Sequence, residues 1–255
     1  MKKYLIEEKN FDIIKGKGYI RKEVCHYNGE KYGYSINFTI SEGIRGILGD
    51  NIRFNFEKEI KYVSNGIKLV KANGEEELYE QLNDAYYKGE QRYKYIKSTG
   101  NNLELIYEGN YKEIYSLTGK ILYLRDKDNE LILTYTYNTN NELISITNYI
   151  GESINISYDS LGIKNIYKGN TLLLNVIRES DNITLEIDSV IYKFYDSDVI
   201  SLVSYEGSKE IERVDLEENR LTSYFKGEKT IDNTIVLKAE GLYLVNDLIN
   251  EVSYE

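Results

Sequence analysis

Apolar and polar residues alternate one by one along several short segments of this chain. Ser35–Ile40 and Ile52–Phe56 carry an apolar side chain at every second position, and Leu131–Tyr137 and Ser153–Tyr158 follow the same rule. A period of two residues is typical of a strand with one face buried. These segments therefore predict antiparallel strands with one apolar and one polar face.

Short turn sequences separate the predicted strands. Asn-Gly pairs occur at Asn28-Gly29, Asn65-Gly66 and Asn73-Gly74, and Leu48–Asn51 forms a further polar break. Both residues of an Asn-Gly pair accept positive φ, which a tight hairpin requires. The chain contains no proline, so glycine, asparagine and aspartate must make its turns.

Glu75–Tyr87 is the only candidate helix. Leu78, Leu82 and Ala85 fall near a helical spacing, and the acidic residues at its start suit the positive end of a helix. The same segment is also compatible with a strand, and both interpretations remain open at this level.

The second half of the chain contains a repeat. Five related phrases begin at positions 119, 141, 162, 198 and 219, so that their starts lie 22, 21, 36 and 21 residues apart. A period near twenty with turn residues at fixed places indicates hairpin-sized units stacked many times. The long interval predicts an extra hairpin at Thr171–Ile187, and the apolar tail from residue 235 to residue 245 predicts one or two more strands.

Together these patterns predict an all-β protein. We expect antiparallel β-hairpin repeats to form a continuous curved or spiral sheet in residues 119–255. An N-terminal β-rich cap occupies residues 1–118, and the fold holds at most one short helix.

The repeats resemble the YD repeat of the Rhs family, which reads tyrosine, aspartate, two variable residues, glycine, arginine, leucine and a polar strand. Glu130–Thr147 is one such block, and the resemblance covers about residues 60–225. The tyrosine falls on Tyr137, Tyr158 and Tyr195, the aspartate on Asn138, Asp159 and Asp196, and the glycine on Asn141, Gly162 and Asp198. The arginine falls on Arg220, which follows Asn219, and the leucine falls on Leu143 and Leu221.

The resemblance implies a non-catalytic structural or interaction module. Members of the family look like large hollow β-sheet shells that enclose or present a C-terminal toxin, or act as adhesive surface proteins. Shell-forming members are many hundreds of residues long and end their core with an Asp-Pro self-cleavage motif, whereas this chain has 255 residues and no proline. We therefore expect it to line, cap or present a toxin, an effector or a further chain of the same type, without closing a shell or cleaving itself.

A carbohydrate- or cell-surface-binding adhesin is the alternative, because exposed tyrosines can stack on sugars. The tyrosines at 135, 137 and 158 lie on the apolar face of their predicted strands, which favours a place in the core. Their orientation separates the two hypotheses, since outward rows would favour adhesion and a sealed interior would favour the structural role.

Composition narrows the classes of partner. The formal net charge is −10, which argues against nucleic acid and against anionic membrane surfaces. No apolar run approaches the roughly 18 residues of a membrane-spanning helix. The run Tyr4–Ile6 is too short for the core of a signal peptide. We therefore expect any export to use another route or to occur as part of a larger secreted complex, and the localisation stays open.

The residues considered for catalysis or metal binding favour structural interpretations. Cys25 and His26, the only cysteine and the only histidine, point to opposite faces if they lie in a strand, which excludes a nucleophile–base pair unless a turn intervenes. Asp126–Glu130 offers oxygen ligands for calcium, but it lacks the glycine and the distant glutamate of an EF-hand loop. A charged turn is the preferred interpretation there and at Asp196–Asp198.

No pair of carboxylates stands out for glycoside hydrolysis among the 42 acidic residues. A single histidine and a single cysteine nearly exclude metal sites built from those residues. We therefore expect no enzymatic activity, no cofactor and no metal, with a protein as the partner and a glycan as the alternative.

Overall fold

The structure, a computed structural model, describes residues 8–12, 17–89, 95–218, 220–238, 241–246 and 251–253. Strands make up about 70% of it, and the described part contains no α-helix. A single 3-10 turn at Glu108–Asn110 is its only helical segment. The predicted all-β class is confirmed.

Four strands near the N-terminus form a separate antiparallel sheet, called here the N-terminal sheet. It consists of β1 (Glu8–Asp12), β2 (Lys17–Asn28), β3 (Gly33–Gly46) and β4 (Gly49–Phe54), paired in that order. Ile40 lies opposite both Ile20 and Ile52, and Phe38 lies opposite Phe54. These cross-strand neighbours place the apolar side chains of three strands on one face.

The remaining strands form one long antiparallel sheet, called here the repeat sheet, in which each strand pairs with its neighbours in sequence. Its strands are β5 (Glu59–Val63), β6 (Gly66–Val70), β7 (Glu76–Asn83), β8 (Tyr86–Lys88), β9 (Tyr95–Ser98), β10 (Asn102–Ile106), β11 (Lys112–Ser116), β12 (Ile121–Arg125), β13 (Leu131–Tyr137), β14 (Leu143–Asn148), β15 (Ser153–Asp159), β16 (Gly162–Lys168), β17 (Thr171–Arg178), β18 (Ile183–Ile187), β19 (Val190–Asp196), β20 (Ile200–Glu206), β21 (Lys209–Glu217), β22 (Arg220–Phe225), β23 (Glu228–Lys238), β24 (Gly241–Asn246) and β25 (Glu251–Ser253). The sheet is open. A single bridge between Glu59 and Lys120 ties the start of β5 to the turn before β12.

Several details of the repeat region match the sequence. The extra hairpin predicted at Thr171–Ile187 is formed by β17 and β18, and β23 and β24 supply the predicted tail strands. The division between the two sheets falls between Phe54 and Glu59, whereas the sequence placed its boundary between residues 118 and 119. Strands β5 to β11 therefore belong to the same sheet as the repeats.

The helix considered at Glu75–Tyr87 is wrong, because this segment forms β7 and β8. Strand β7 pairs with β6 from Glu76 to Glu80, and its end pairs with β8. Asn83 Oδ1 then accepts the backbone N–H groups of Ala85 (2.9 Å) and Tyr86 (3.1 Å) and turns the chain. Pairing with a neighbouring strand overrides the weak helical pattern of apolar residues in this segment. Leu82, one residue of that pattern, is exposed.

The two sheets share one hydrophobic core. Strand β2 contacts β17, β21 and β22 of the repeat sheet. The N-terminal sheet buries one apolar face completely, with Ile20, Ile36, Phe38, Ile40, Ile52 and Phe54. The repeat sheet adds Ile154, Ile163, Ile166, Leu174, Leu185, Leu202, Val214 and Leu221, all fully buried. The repeat sheet thus covers the N-terminal sheet.

The N-terminal sheet also reaches both rims of the repeat sheet. In a sheet of consecutive antiparallel strands, successive turns lie at alternate rims. The β2–β3 loop contacts the turns that follow β12 and β14, at one rim. At the opposite rim, Asn51 in the β3–β4 hairpin donates a hydrogen bond to Asp196, at the end of β19 (2.8 Å).

Candidate functional site

The repeat tyrosines face the interior of the molecule. Tyr135 is only 7% exposed, and burial raises the pKa of its hydroxyl and of the Tyr34 hydroxyl in β3. Tyr137 and Tyr158 are partly buried against the core, and the Tyr158 hydroxyl donates to the carbonyl of Leu143 (2.9 Å). The predicted core position of these tyrosines is confirmed.

The residues after Tyr137 form a hairpin turn with a defined geometry. The Asn138 N–H donates to the Glu142 carbonyl (2.9 Å), and the Asn141 N–H donates to the Asn138 carbonyl (3.0 Å). Asn138 Oδ1 accepts the N–H groups of Asn140 and Glu142. Asn141 has φ 61°, a conformation that asparagine tolerates better than most residues, and it can therefore stand at the glycine position of the repeat.

The same turn occurs at 126–130, where the sequence offered candidate calcium ligands. Asp126 Oδ1 accepts the N–H groups of Asp128 (2.9 Å) and Glu130 (2.8 Å), and Asn129 has φ 66°. The preferred interpretation as a charged turn is confirmed. Among the described residues, no group of three or more acidic, histidine or cysteine side chains is arranged to hold a metal ion.

A third copy of this turn lies at 148–152, which the sequence analysis missed. Asn148 Oδ1 accepts the N–H groups of Ile150 and Glu152, and Gly151 takes the positive φ of 86°. The three copies share Asp or Asn first, Asn or Gly fourth and Glu fifth. That five-residue pattern was visible in the sequence and could have identified these turns.

The other repeat residues make turns, core contacts or ion pairs. Asp159 Oδ1 accepts the Leu161 N–H (2.9 Å) before Gly162, whereas Asp196 and Asp198 are exposed in the turn between β19 and β20. Arg220 donates two hydrogen bonds to the carboxylate of Asp232, each 2.8 Å long. Leu143 and Leu221 are buried, the partly buried Tyr195 interacts with Tyr205, and Asn219 lies outside the described residues.

Four of the repeat residues come together at one groove of about 390 Å³. These are Tyr137, Asn141, Leu143 and Tyr158, and the β3–β4 hairpin forms the other side. There Glu57 accepts the backbone N–H groups of Phe54 and Ile47, both at 2.7 Å. Burial raises the pKa of Glu57 to about 7. The Glu57 carboxylate therefore stabilises the β3–β4 hairpin, and the groove lies at the junction between the two sheets.

A polar contact joins the sheets at the opposite rim. Tyr32 in the β2–β3 loop donates a hydrogen bond to Oδ2 of the buried Asp126, and Lys31 forms ion pairs with Asp126 and Glu130. The Lys31 N–H donates to the Tyr149 hydroxyl (3.0 Å), and the rings of Tyr32 and Tyr149 meet edge to face. The hydrogen bond from Tyr32 is the main cause that lowers the pKa of Asp126. The Asx turns thus serve as docking points as well as hairpin connections.

Cys25 and His26 lie next to each other in β2, after a bulge between Glu23 and Cys25. Cys25 packs against the core, and burial raises the pKa of its thiol to about 11. His26 is exposed, and its Nδ1 is hydrogen-bonded to Ser35 Oγ (2.7 Å). A thiol with a raised pKa is a poor nucleophile, so the geometry supports a structural role for Cys25.

A comparison with protein-family models found no match, and a comparison with curated proteins found none either. The resemblance to the Rhs family therefore stays a prediction that rests on the repeat residues alone. No helix that could cross a bilayer is present in the part of the chain that the structure describes.

Proposed function

We propose that this protein is a non-catalytic structural and interaction module built from β-repeats. It resembles part of an Rhs/YD-repeat shell, and it lines, caps or presents a toxin, an effector or another protein partner. The observation that carries the proposal is the inward orientation of Tyr135, Tyr137 and Tyr158 on a sheet that covers a second sheet.

The contacts between the sheets support a lining role. The repeat sheet holds the N-terminal sheet by an apolar face and by polar contacts at both rims, at Asp126 and at Asp196. The residues that define the repeat supply the turns, the core and one of these rim contacts. A sheet that contacts a folded element through regularly spaced turns is suited to enclosing a protein.

The N-terminal sheet occupies the apolar face of the repeat sheet, so a partner would bind elsewhere. Strand β25 ends the repeat sheet and pairs on one side with β24 among the described strands. Sheet edges without proline favour the addition of a strand from another chain. We therefore propose sheet-edge pairing as the mode of binding.

Gel filtration of the chain alone and with the product of the adjacent gene tests this function. We expect the two proteins to elute together as a complex, and an unrelated protein of similar charge to elute separately as the control. Separate elution of the adjacent product and the chain at micromolar concentration would contradict the proposal.

A second candidate is adhesion to glycans, which one observation favours. Tyr86 in β8 and Tyr95 in β9 are both exposed, and their rings lie 6.0 Å apart on adjacent strands. Exposed aromatic rings of this kind can stack on sugars. Loss of cell-surface or glycan binding in a Tyr86→Ala, Tyr95→Ala double variant would support adhesion over the protein-binding function.

A further inference from the structure

The first residue of a repeat turn, an asparagine or an aspartate, decides what the turn contacts. In the turn at 138–142, Asn138 Nδ2 donates to Glu142 Oε2 (2.6 Å), and in its copy at 148–152, Asn148 Nδ2 donates to Glu152 Oε2 (3.4 Å). Oδ1 of each asparagine accepts backbone N–H groups of the same turn. Each asparagine therefore uses both ends of its amide within its own turn.

An aspartate stands at the corresponding position in three other turns, and two of these aspartates bind the N-terminal sheet. Asp126 Oδ2 accepts the Tyr32 hydroxyl and lies 3.7 Å from Lys31 Nζ. Asp196 Oδ1 accepts a hydrogen bond from Asn51 Nδ2 (2.8 Å). An ionised carboxylate has two oxygens and only accepts hydrogen bonds. It can therefore hold its own turn and still accept a donor from another part of the molecule.

Asp159 is the third aspartate, and no described residue of the N-terminal sheet donates a hydrogen bond to it. Its Oδ1 accepts the Leu161 N–H (2.9 Å), and Lys164 Nζ lies 3.9 Å from its Oδ2, too far for a hydrogen bond. Arg178 is close enough for its charge to interact with Asp159, but its Nη1 donates to the Ile163 carbonyl (3.0 Å). Since the Asp159 side chain is 33% exposed, a donor from another molecule can reach it.

An exposed apolar side chain lies beside this carboxylate. Leu161 belongs to the same turn and is 65% exposed. The contact at Asp126 combines the same two elements, because the Tyr32 ring that docks there also meets the Tyr149 ring edge to face. An apolar contact that excludes water strengthens a neighbouring hydrogen bond. The turn at 159–162 therefore offers both parts of a docking contact.

We propose that the turn at 159–162 is a docking point for the protein partner. The partner places a hydrogen-bond donor at Asp159 and an apolar side chain at Leu161, and the donor is a neutral or basic group, because an acid would be repelled by the carboxylate. A loop with a tyrosine, like the loop that carries Tyr32, has this chemistry. The inference rests on the proposed protein-binding function and adds a contact at the rim to the pairing at the sheet edge.

Photo-crosslinking to the product of the adjacent gene tests the inference. Leu161→p-benzoylphenylalanine places the photoreactive group at the turn, and Leu172→p-benzoylphenylalanine places it at another exposed leucine, in β17. We expect a crosslinked product from position 161 and at least tenfold less from position 172. A complex that elutes as one species without crosslinking from 161 would reject this docking point and leave the protein-binding function intact. Failure of the two proteins to associate would reject both.

Matched substitutions measure the contribution of the carboxylate. We expect Asp159→Asn to weaken binding of the same partner about tenfold or more in titration calorimetry, because it removes a charged acceptor and keeps an oxygen for the Leu161 N–H. Asparagine occupies this position at 138 and 148, so the variant should fold, which circular dichroism checks. Asp198→Asn, at an exposed aspartate of another turn, should leave the affinity unchanged. Equal affinity of the parent and a folded Asp159→Asn variant would overturn the inference.

Discussion

The N-terminal sheet and the repeat sheet reach the same kind of structure by different means. Strands β2 and β3 are 12 and 14 residues long, and fully buried isoleucines and phenylalanines that face each other across strands define their order. Strands β13 to β16 have six or seven residues each, and similar turns follow β12, β13 and β14. One sheet is specified mainly by its apolar face, and the other mainly by its turns.

This difference explains why the two sheets occur together. A sheet of short hairpins presents a long apolar face that it cannot bury by itself. The N-terminal sheet has a matching apolar face and long strands that reach both rims. We therefore expect each sheet to depend on the other for its stability.

The substitution Phe38→Ala tests this dependence and should have the largest effect. Phe38 is fully buried and meets Phe54 edge to face, so its loss should cost about 3–5 kcal/mol of unfolding free energy. Chemical denaturation followed by far-UV circular dichroism should show one shared transition at lower denaturant. Tyr62→Ala, at an exposed position, is the control, and a repeat sheet that keeps its original midpoint would show that the sheets are independent.

The substitution Gly119→Ala tests the tie between β5 and the turn before β12. Gly119 has φ 85°, and a methyl group there would lie 1.8 Å from the Ile60 carbonyl oxygen. The backbone must shift, and the hydrogen bond from Ile60 N–H to the Gly119 carbonyl (2.8 Å) is lost. We expect a loss of about 3 kcal/mol in unfolding free energy.

Gly151→Ala is the matched control for this tie. Gly151 has nearly the same φ, 86°, but no atom lies within 4 Å of the added methyl group. The conformational cost alone should be about 1 kcal/mol. Equal losses in the two variants, measured by denaturation, would show that the contact with Ile60 contributes nothing.

The substitution Asn138→Ala measures what one turn contributes to the repeat sheet. It removes the acceptor of two backbone N–H groups, and we expect a loss of about 1 kcal/mol in unfolding free energy. Thr139→Ala in the same turn is exposed and should change stability little. An Asn138→Ala protein as stable as the parent would contradict the view that turns specify this sheet.

The substitution Tyr32→Phe should produce the smallest effect, seen best through its pH dependence. The pKa of Asp126 lies below its ordinary value of 3.8 in the folded protein, mainly because Tyr32 donates to it. A lowered pKa contributes stability that is present above the unfolded pKa and is lost as the pH falls through the folded pKa.

Tyr32→Phe should therefore be less stable than the parent at neutral pH, and the gap should narrow in acid. Unfolding midpoints measured from pH 7 down to about pH 3 check this, since that range reaches the carboxyl titration. Tyr62→Phe, which changes an exposed hydroxyl, serves as the control. A gap that stays constant with pH would mean that Asp126 does not gain from the Tyr32 contact.

Much of the fold was predictable because alternation and turn chemistry are local. Ile154, Ile156 and Tyr158 lie on one face as expected, and the hairpin at Thr171–Ile187 followed from the spacing of the repeats. The segment Glu75–Tyr87 was ambiguous because its helical spacing was weak, and pairing with β6 decided its structure. Such pairing depends on a partner strand, and a short segment of sequence taken alone does not reveal it.

The candidate sites were less predictable because they depend on contacts between distant residues. Nothing in the sequence joins Tyr32 to Asp126, or Asn51 to Asp196, since these pairs meet only through the packing of the sheets. The repeat tyrosines were the exception, because their strand face follows directly from alternation. The local sequence pattern thus predicted the strands and turns, whereas only the structure shows the contacts between the two sheets.

The pairing of every repeat strand with its sequence neighbours has a consequence for how the protein is made. Strands β1 to β4 leave the ribosome first and can pair among themselves. Each later hairpin then needs only the strand before it and the apolar surface already present. The repeat sheet can therefore form against the N-terminal sheet during translation, one hairpin at a time.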